Sequence, residues 1–178
     1  MRMTHIAAAA TLGLVMVAAS AATAGSGRDD DARTKLFGYE EVPSISTPGG
    51  GRFDARVQRD SVRYTLSYGK LSAPVTQAHI HFGQFSVNGG VSVFLCSNGD
   101  APSGTPSCPP SGEVRGTLTA ADVIGPAAQG IAPGELEELI AAIDAGVAYV
   151  NVHTTAFPTG EIRGQLDEDD DDGDDDDD

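Results

Sequence analysis

The chain has 178 residues, two cysteines, no tryptophan and a formal net charge of −15. Eleven of its acidic residues fall within the final segment 167–178, which leaves fifteen acids and ten bases between residues 25 and 166. This mildly acidic part lacks the basic patch that nucleic-acid binding requires, so the composition argues against a nucleic-acid partner.

The first 24 residues have the features of a secretory signal peptide. Arg2 supplies a positive charge, residues 6–19 are apolar, and Ala22-Thr23-Ala24 provides small residues for cleavage after Ala24. The apolar run is shorter than the roughly 20 residues that span a bilayer, which predicts export without a transmembrane segment. Residues 25–33 read as a polar linker. The periplasm, the cell surface and the medium all remain open as destinations.

Residues 34–166 are predicted to form one all-β domain. Short alternating runs between Gly and Pro indicate strands at 34–41, 51–58, 61–68, 75–82, 91–96, 113–119, 147–154 and 161–166, with tight turns at 58–61 and 88–90. Apolar residues at helical spacing predict one short helix from about Pro133 to Gly146, before the penultimate strand. A shorter helical turn, capped by Thr119, is expected at 120–124. The expected fold class is an antiparallel Greek-key β-sandwich or barrel of about eight strands.

The two cysteines, Cys96 and Cys108, flank a segment rich in Gly, Pro, Ser and Asn. An exported chain meets an oxidising environment, which favours a disulfide. Closing a loop of this size contributes on the order of 3 kcal/mol. The alternative is a pair of metal-binding thiolates, for which the long irregular spacing is unfavourable.

Two strands near the end of the domain repeat each other. Residues 112–118 match residues 160–166 at five of seven positions. Alternation places the aliphatic residues and the glycines on an inner face, where glycine allows a bulky group to approach. The other face carries Glu113 with Arg115 in one copy and Glu161 with Arg163 in the other. These pairs are expected to be surface ion pairs, the alternative being a ligand-binding role.

Several of these segments resemble the CHRD (chordin-type) domain, from about residue 34 to residue 166. The resemblance rests on segments that occur in the order of that family: Glu41-Val42-Pro43, Ala78-His79-Ile80-His81-Phe82-Gly83, Gly112-Glu113-Val114-Arg115-Gly116, Ala148-Tyr149-Val150-Asn151-Val152-His153-Thr154 and Gly160-Glu161-Ile162-Arg163-Gly164-Gln165-Leu166. It implies an extracellular domain with an immunoglobulin-like β-fold and, as partner, an extracellular protein or matrix ligand. The cysteine-rich modules that accompany the domain in chordin, a growth-factor antagonist, do not occur in this chain, so growth-factor binding is not expected.

Three histidines lie on predicted strands, whereas His5 belongs to the signal peptide. His79 and His81 form an H-x-H pair on one face of their strand, roughly 7 Å apart, so both rings can reach one ion. His153 shares an outward face with Tyr149 and Asn151. If the two strands are neighbours, the three rings converge on an outer face of the sheet. The sequence alone does not establish that adjacency.

Three neutral imidazoles suit copper or zinc, and nickel less readily. Asn151, Tyr149 and Gln77 are the side chains expected to orient the rings. The hypothesis is therefore a non-catalytic binding module with one metal ion. An alternative is a copper-dependent redox enzyme, because the H-x-H strand resembles copper/zinc superoxide dismutase over a few residues, although that family needs more histidines than this chain offers. A metal-free structural or matrix-interaction domain is the third possibility.

No motif of a hydrolase, a phosphate-binding loop or a zinc protease occurs in the sequence, so an enzyme is not expected. The segment 167–178 reads as a disordered, self-repelling acidic tail that could bind Ca²⁺ weakly. An EF-hand does not fit its register, because the closing Glu would fall beyond Asp178.

Overall fold

The computed structural model describes residues 30–168, and side chains from 31 to 166. The predicted signal peptide and most of the predicted tail lie outside the described residues. No helix of the described part is long and apolar enough to cross a membrane. The strands are β1 (Asp30–Phe37), β2 (Gly50–Gln58), β3 (Ser61–Gly69), β4 (Val75–Phe82), β5 (Gly90–Ser97), β6 (Gly112–Leu118), β7 (Ala148–Thr154), β8 (Ile162–Gln165) and β9 (Asp167–Glu168), and the α-helix is α1 (Leu136–Asp144).

Eight of the strands form one antiparallel sheet in the order β5-β4-β7-β8-β1-β2-β3-β6, and β9 pairs with β1. The sheet curls until its two end strands, β5 and β6, contact each other. The hydroxyl of Tyr64 donates a 2.6 Å hydrogen bond to the carbonyl of Leu95, which joins β3 to β5 across this seam. The predicted all-β antiparallel sandwich or barrel is confirmed, with α1 before the penultimate long strand.

The apolar core fills the inside of this nearly closed barrel. Alternate residues of β2 and β3 are buried, and the rings of Phe53 and Tyr64 stack with centroids 6.1 Å apart. Helix α1 buries one face, including Leu139 and Ile143, against the core. Gly146 ends the helix with a φ of 66°, a conformation that favours glycine. The sequence predicted this ending correctly.

The structure differs from the predicted elements at two places that matter for the site. Strand β1 begins at Asp30, because residues 30–33 extend the ladder with β2, and it ends at Phe37 instead of at residue 41. Glu41 therefore follows a 3-10 turn, Gly38–Glu40. The turn expected at 88–90 lies earlier, where Val87 donates to the carbonyl of Gln84 and Ser86 has a φ of 59°.

A disulfide joins Cys96 at the end of β5 to Cys108, as expected. Asn98 organises the loop between the cysteines. Its amide group donates to the carbonyls of Val75 and Cys108 and accepts from the backbone N–H of Cys108. The disulfide and this asparagine together fix the loop to the edge of β4 and β5.

Candidate metal centre

Strands β4 and β7 are neighbours, which is the condition that the histidine hypothesis required. They pair antiparallel, and the unbroken register from Gln77 to Phe82 brings the histidines to adjacent rows. Partners across the two strands lie on the same face of a sheet. The pairs on this face are Gln77 with His153, His79 with Asn151, and His81 with Tyr149.

The three imidazole rings form a compact group. Ring centroids are 4.9 Å apart for His79 and His153, 5.3 Å for His79 and His81, and 5.8 Å for His81 and His153. One nitrogen from each ring lies within 4.8 Å of the others. Nitrogen ligands of a tetrahedral ion are separated by about 3.3 Å, so a ring movement on the order of 1 Å closes the group around an ion.

The histidine face is the outer face of the sheet, as alternation predicts, but it is buried. His79, His81 and His153 are 5%, 7% and 7% exposed. The loop residues Gly89 and Pro158 contact His81 and His153. The ring of Phe94, on the neighbouring strand β5, is nearly perpendicular to that of His79, with centroids 4.3 Å apart. The site is thus a second buried layer, outside the barrel wall.

Backbone carbonyls fix the orientation of two rings. Nδ1 of His81 lies 3.0 Å from the carbonyl oxygen of Gly89, and Nδ1 of His153 lies 3.1 Å from that of Pro158. A carbonyl oxygen only accepts, so each Nδ1 carries the proton and donates. Each Nε2 therefore keeps a lone pair, which is the form that binds a metal.

One hydrogen bond links two of the rings, and two other ring nitrogens have no partner. Nδ1 of His79 lies 3.1 Å from Nε2 of His153 and donates to it in the metal-free protein. The Nε2 atoms of His79 and His81 are buried, and neither has a hydrogen-bond partner. Buried polar atoms without partners are rare and call for an explanation. A bound cation would satisfy them.

Burial keeps the imidazoles neutral. It lowers the pKa of His79 to about 3, with smaller contributions from the charges of His153 and His81. Burial also lowers the pKa of His81 to about 4, against the hydrogen bond to Gly89, and it lowers the pKa of His153. Each ring is therefore a neutral imidazole at neutral pH, so no second proton competes with a metal for its free nitrogen.

The side chains expected to orient the rings contact the site in other ways. Tyr149 stacks on His81 with centroids 4.8 Å apart and planes at 8°, and its hydroxyl accepts from the N–H of Gly89. Asn151 donates to Glu41 at 3.3 Å instead of to a histidine. Gln77 is half-buried and, among the described residues, makes no hydrogen bond to the three rings.

Glu41 is a site residue that the sequence analysis did not identify. Because β1 ends at Phe37, the following turn carries Glu41 over the face of β7, where it is buried beside Asn151. Burial raises the pKa of Glu41 to about 7, against the lowering effects of Asn151 and Arg163. Gly160 is the feature of the sequence that could have indicated this contact. A Cβ at this position would overlap the side chains of Asn151 and Glu41, so the glycine leaves room for them.

The expectation of two surface ion pairs is right for one copy of the repeat and wrong for the other. Arg115 and Glu113 form an exposed pair at 2.7 Å. Glu161 and Arg163 are 0% and 1% exposed and have separate partners, because loops cover β8 and leave β6 open. The carboxylate of Glu161 accepts hydrogen bonds of 2.7 Å from the hydroxyl groups of Thr47 and Thr154 and from the N–H of Ser72.

A comparison with protein families agrees with this fold and this set of residues. The family model described as CHRD domain matches residues 32–166, most of the chain. The chain belongs to the CHRD domain family. The match includes all three histidines of the CHRD domain, Glu41, and the repeated strands. Searches of curated proteins and of solved structures found no match.

Proposed function

We propose that this CHRD domain is a non-catalytic extracellular binding module that holds one transition-metal ion through His79, His81 and His153. The observation that carries the proposal is the convergence of three neutral, buried rings in which two Nε2 atoms have no partner. The backbone carbonyls of Gly89 and Pro158 hold two of the rings in the metal-binding tautomer before any ion arrives.

The chemistry of the donor set restricts the ion to copper or zinc, with nickel less suitable. Imidazole nitrogen binds these ions, whereas calcium and magnesium prefer oxygen ligands. Among the described residues, the cluster contains histidines alone, with no carboxylate or thiolate. Weak calcium binding by the acidic segment 167–178 is a separate proposal, and a shortened chain distinguishes the two.

Burial favours a module that holds an ion over an enzyme that turns over a substrate. Nε2 of His79 and Nε2 of His81 are not accessible to solvent, so a substrate has no path to an ion between them in this conformation. The second candidate function is that of a copper-dependent redox enzyme that uses the same histidines. It requires the covering loops to open, and it predicts redox turnover by the copper-loaded protein.

Export is part of the proposal, and the disulfide supports it. Cys96 and Cys108 are joined, and such bonds persist in oxidising compartments. The features of residues 1–24 are those of a signal peptide. Mass spectrometry of the protein recovered from its native host tests this point: a mature N-terminus near Gly25 is expected, and an intact Met1 in the cytoplasm would contradict it.

Elemental analysis tests the metal site. The protein from Gly25 to Asp178 is incubated with zinc, with copper(II) or, without oxygen, with copper(I), and is then dialysed extensively under the same conditions, beside the triple variant His79→Ala, His81→Ala, His153→Ala and a chain ending at Glu168. About one equivalent of metal is expected in the first and third proteins and none in the triple variant. Circular dichroism shows whether the triple variant is folded.

Two results would overturn the proposal. One is the absence of retained metal in the full protein. The other is metal that stays in the folded triple variant but is lost from the chain ending at Glu168, because this result would assign binding to the acidic segment. Either result would leave the third possibility, a metal-free structural or matrix-interaction domain. Turnover of superoxide by the copper-loaded protein would favour the redox enzyme instead.

A further inference from the structure

Three side chains form a stacked column that ends on one of the histidines. The guanidinium carbon of Arg163 lies 3.5 Å from the centroid of the Tyr149 ring. The ring of His81 is nearly parallel to that of Tyr149, and the two ring centroids are 4.8 Å apart. Arg163 is held there by hydrogen bonds to the carbonyl of Gln84 and to Gln165. A fixed positive charge therefore sits behind one ligand.

Two carboxyl groups lie near the site, those of Glu161 and Glu41, and their hydrogen-bond partners among the described residues are not histidines. Glu161 is surrounded by its three donors, Thr47, Ser72 and Thr154. Glu41 contacts Asn151, and burial makes its carboxyl partly protonated at neutral pH. Arg163 brings a positive charge to the stacked side chains that end on His81. The guanidinium keeps its charge at neutral pH.

This arrangement disfavours an ion of higher charge. Three neutral ligands contribute no negative charge, the interior is shielded from water, and the charge on Arg163 repels a cation. Zinc in proteins is almost always four-coordinate, so three imidazoles leave it one ligand short in a site closed to solvent. Copper(I) carries one charge and accepts three nitrogen ligands.

We propose that the CHRD domain holds copper as copper(I), and that Arg163, acting through Tyr149, is a positioning residue that sets the preference for the lower charge. This inference rests on the proposed function, since it assumes that the three histidines bind a metal. It adds the identity and the valence of that metal, and it assigns a role to a buried arginine that makes no ion pair among the described residues.

The test compares two affinities in the same protein. Copper(I) affinity is measured without oxygen by competition with bathocuproine disulfonate, and copper(II) affinity by competition with nitrilotriacetate. The variants are Arg163→Gln, which removes the positive charge, Arg163→Lys, which keeps it, and Glu41→Gln, which removes the residual negative charge but retains the amide contact with Asn151. Thermal unfolding shows which variants are folded.

The two charge changes are expected to act in opposite directions. Arg163→Gln lowers the ratio of copper(I) to copper(II) affinity by about tenfold. The reason is that copper(II) carries one unit of charge more than copper(I), so removing the positive charge of Arg163 relieves more repulsion for copper(II). Arg163→Lys changes the ratio by less than about threefold, and Glu41→Gln raises it. Loosened packing alone would not give opposite signs, so Glu41→Gln keeps the test decisive if Arg163→Gln does not fold.

Other outcomes would overturn the inference. These are tighter binding of zinc or copper(II) than of copper(I), a ratio that does not move in Arg163→Gln, or a ratio that moves in the same direction in Arg163→Gln and Glu41→Gln. In each of these the metal still binds, so the proposed function stands. Failure of the unaltered protein to bind any of the three ions would instead contradict the proposed function itself.

Discussion

Single residues of the same local sequence have different roles in this protein. Glu113 and Glu161 occupy equivalent positions in the repeated strands, yet Glu113 is exposed beside Arg115 and Glu161 is fully buried with three hydrogen-bond donors. Burial alone would raise the pKa of Glu161, but the hydrogen bonds from its donors lower it. The donors around Glu161 therefore stabilise the charged form of its carboxylate.

This difference predicts unequal costs for one substitution. Glu161→Gln replaces an acceptor oxygen with an amide nitrogen that faces donors, and it is expected to lower the free energy of unfolding by about 2 kcal/mol. Glu113→Gln, the matched control, is expected to change it by less than about 0.5 kcal/mol. Urea unfolding at pH 7, followed by circular dichroism, measures both. Equal effects would contradict the buried role of Glu161.

The histidines predict a loss of stability in acid for the metal-free protein. The native pKa values of His79 and His81, about 3 and about 4, lie below the ordinary value of 6.5, and that of His153 is also lowered. Above about 6.5 these rings are neutral in both states. As the pH falls from there toward 4, the unfolded chain binds protons that the native protein does not, so the free energy of unfolding decreases.

Glu41 acts in the opposite sense over part of this range. Its native pKa of about 7 means that its contribution to stability is present below about 4.5 and is lost as the pH rises through 7. Three histidines outweigh one carboxyl, so a net loss is expected between pH 6.5 and 4. Urea unfolding of chelator-treated protein measures it, against the variant with His79, His81 and His153 all changed to Gln. The same slope in both proteins would refute this origin of the acid sensitivity.

The three candidate ligands could be predicted from the sequence, whereas the residues that cover and orient them could not. Alternation alone placed His79 and His81 on one face, and His153 on an outward face. The carbonyls of Gly89 and Pro158 belong to loops whose path no periodicity encodes. Glu41 was predicted to be the last residue of the first strand, since nothing in the sequence marks where the ladder with β2 ends.

At the level of elements, strand β7 shows why the prediction of an outer site was incomplete. All seven of its residues are buried, because the barrel interior covers one face and loops cover the other. A two-residue alternation distinguishes the two faces of a strand but does not indicate whether a loop crosses the polar one. The repeated strands mislead in the same way, as they share a sequence but lie in different parts of the sheet.

A disulfide joins the edge strand β5 to the loop that follows it, which leads to a further prediction. Cys96→Ser with Cys108→Ser opens a short loop and is expected to lower the free energy of unfolding by about 3 kcal/mol. The metal content is expected to remain at about one equivalent, since β4 and β7 keep their pairing. Urea unfolding and elemental analysis of the double variant check both points. Loss of metal from a folded double variant would show that the site depends on the loop.

On the scale of the whole molecule, the barrel wall separates an apolar core from a polar buried layer. The fold class followed from strand lengths, turns and the helix, which are local features. The pairing of β4 with β7 joins residues from 66 (Phe82 and Ala148) to 79 (Val75 and Thr154) positions apart in the sequence. No local pattern determines which distant strands become neighbours, so the site depended on the structure.

An ion that binds the native state alone stabilises it, which gives a prediction for the whole fold. With ion in hundredfold excess over its dissociation constant, the gain is about 2.7 kcal/mol. Copper(I) is therefore expected to raise the Tm of the full protein and to leave the Tm of the triple His→Gln variant unchanged. Calorimetry without oxygen, at equal protein concentrations, measures the difference. A similar rise in both proteins would point to binding outside the histidine cluster.

X-ray absorption at the copper edge, measured on the protein loaded with one equivalent of copper(I), tests directly whether the three histidines bind the metal. We expect three nitrogen neighbours at roughly 2.0 Å, the scattering pattern of imidazole rings, and the loss of this signal in the variant that lacks His79, His81 and His153. Coordination by oxygen, or the same spectrum in the triple variant, would contradict the assignment of the metal to this site.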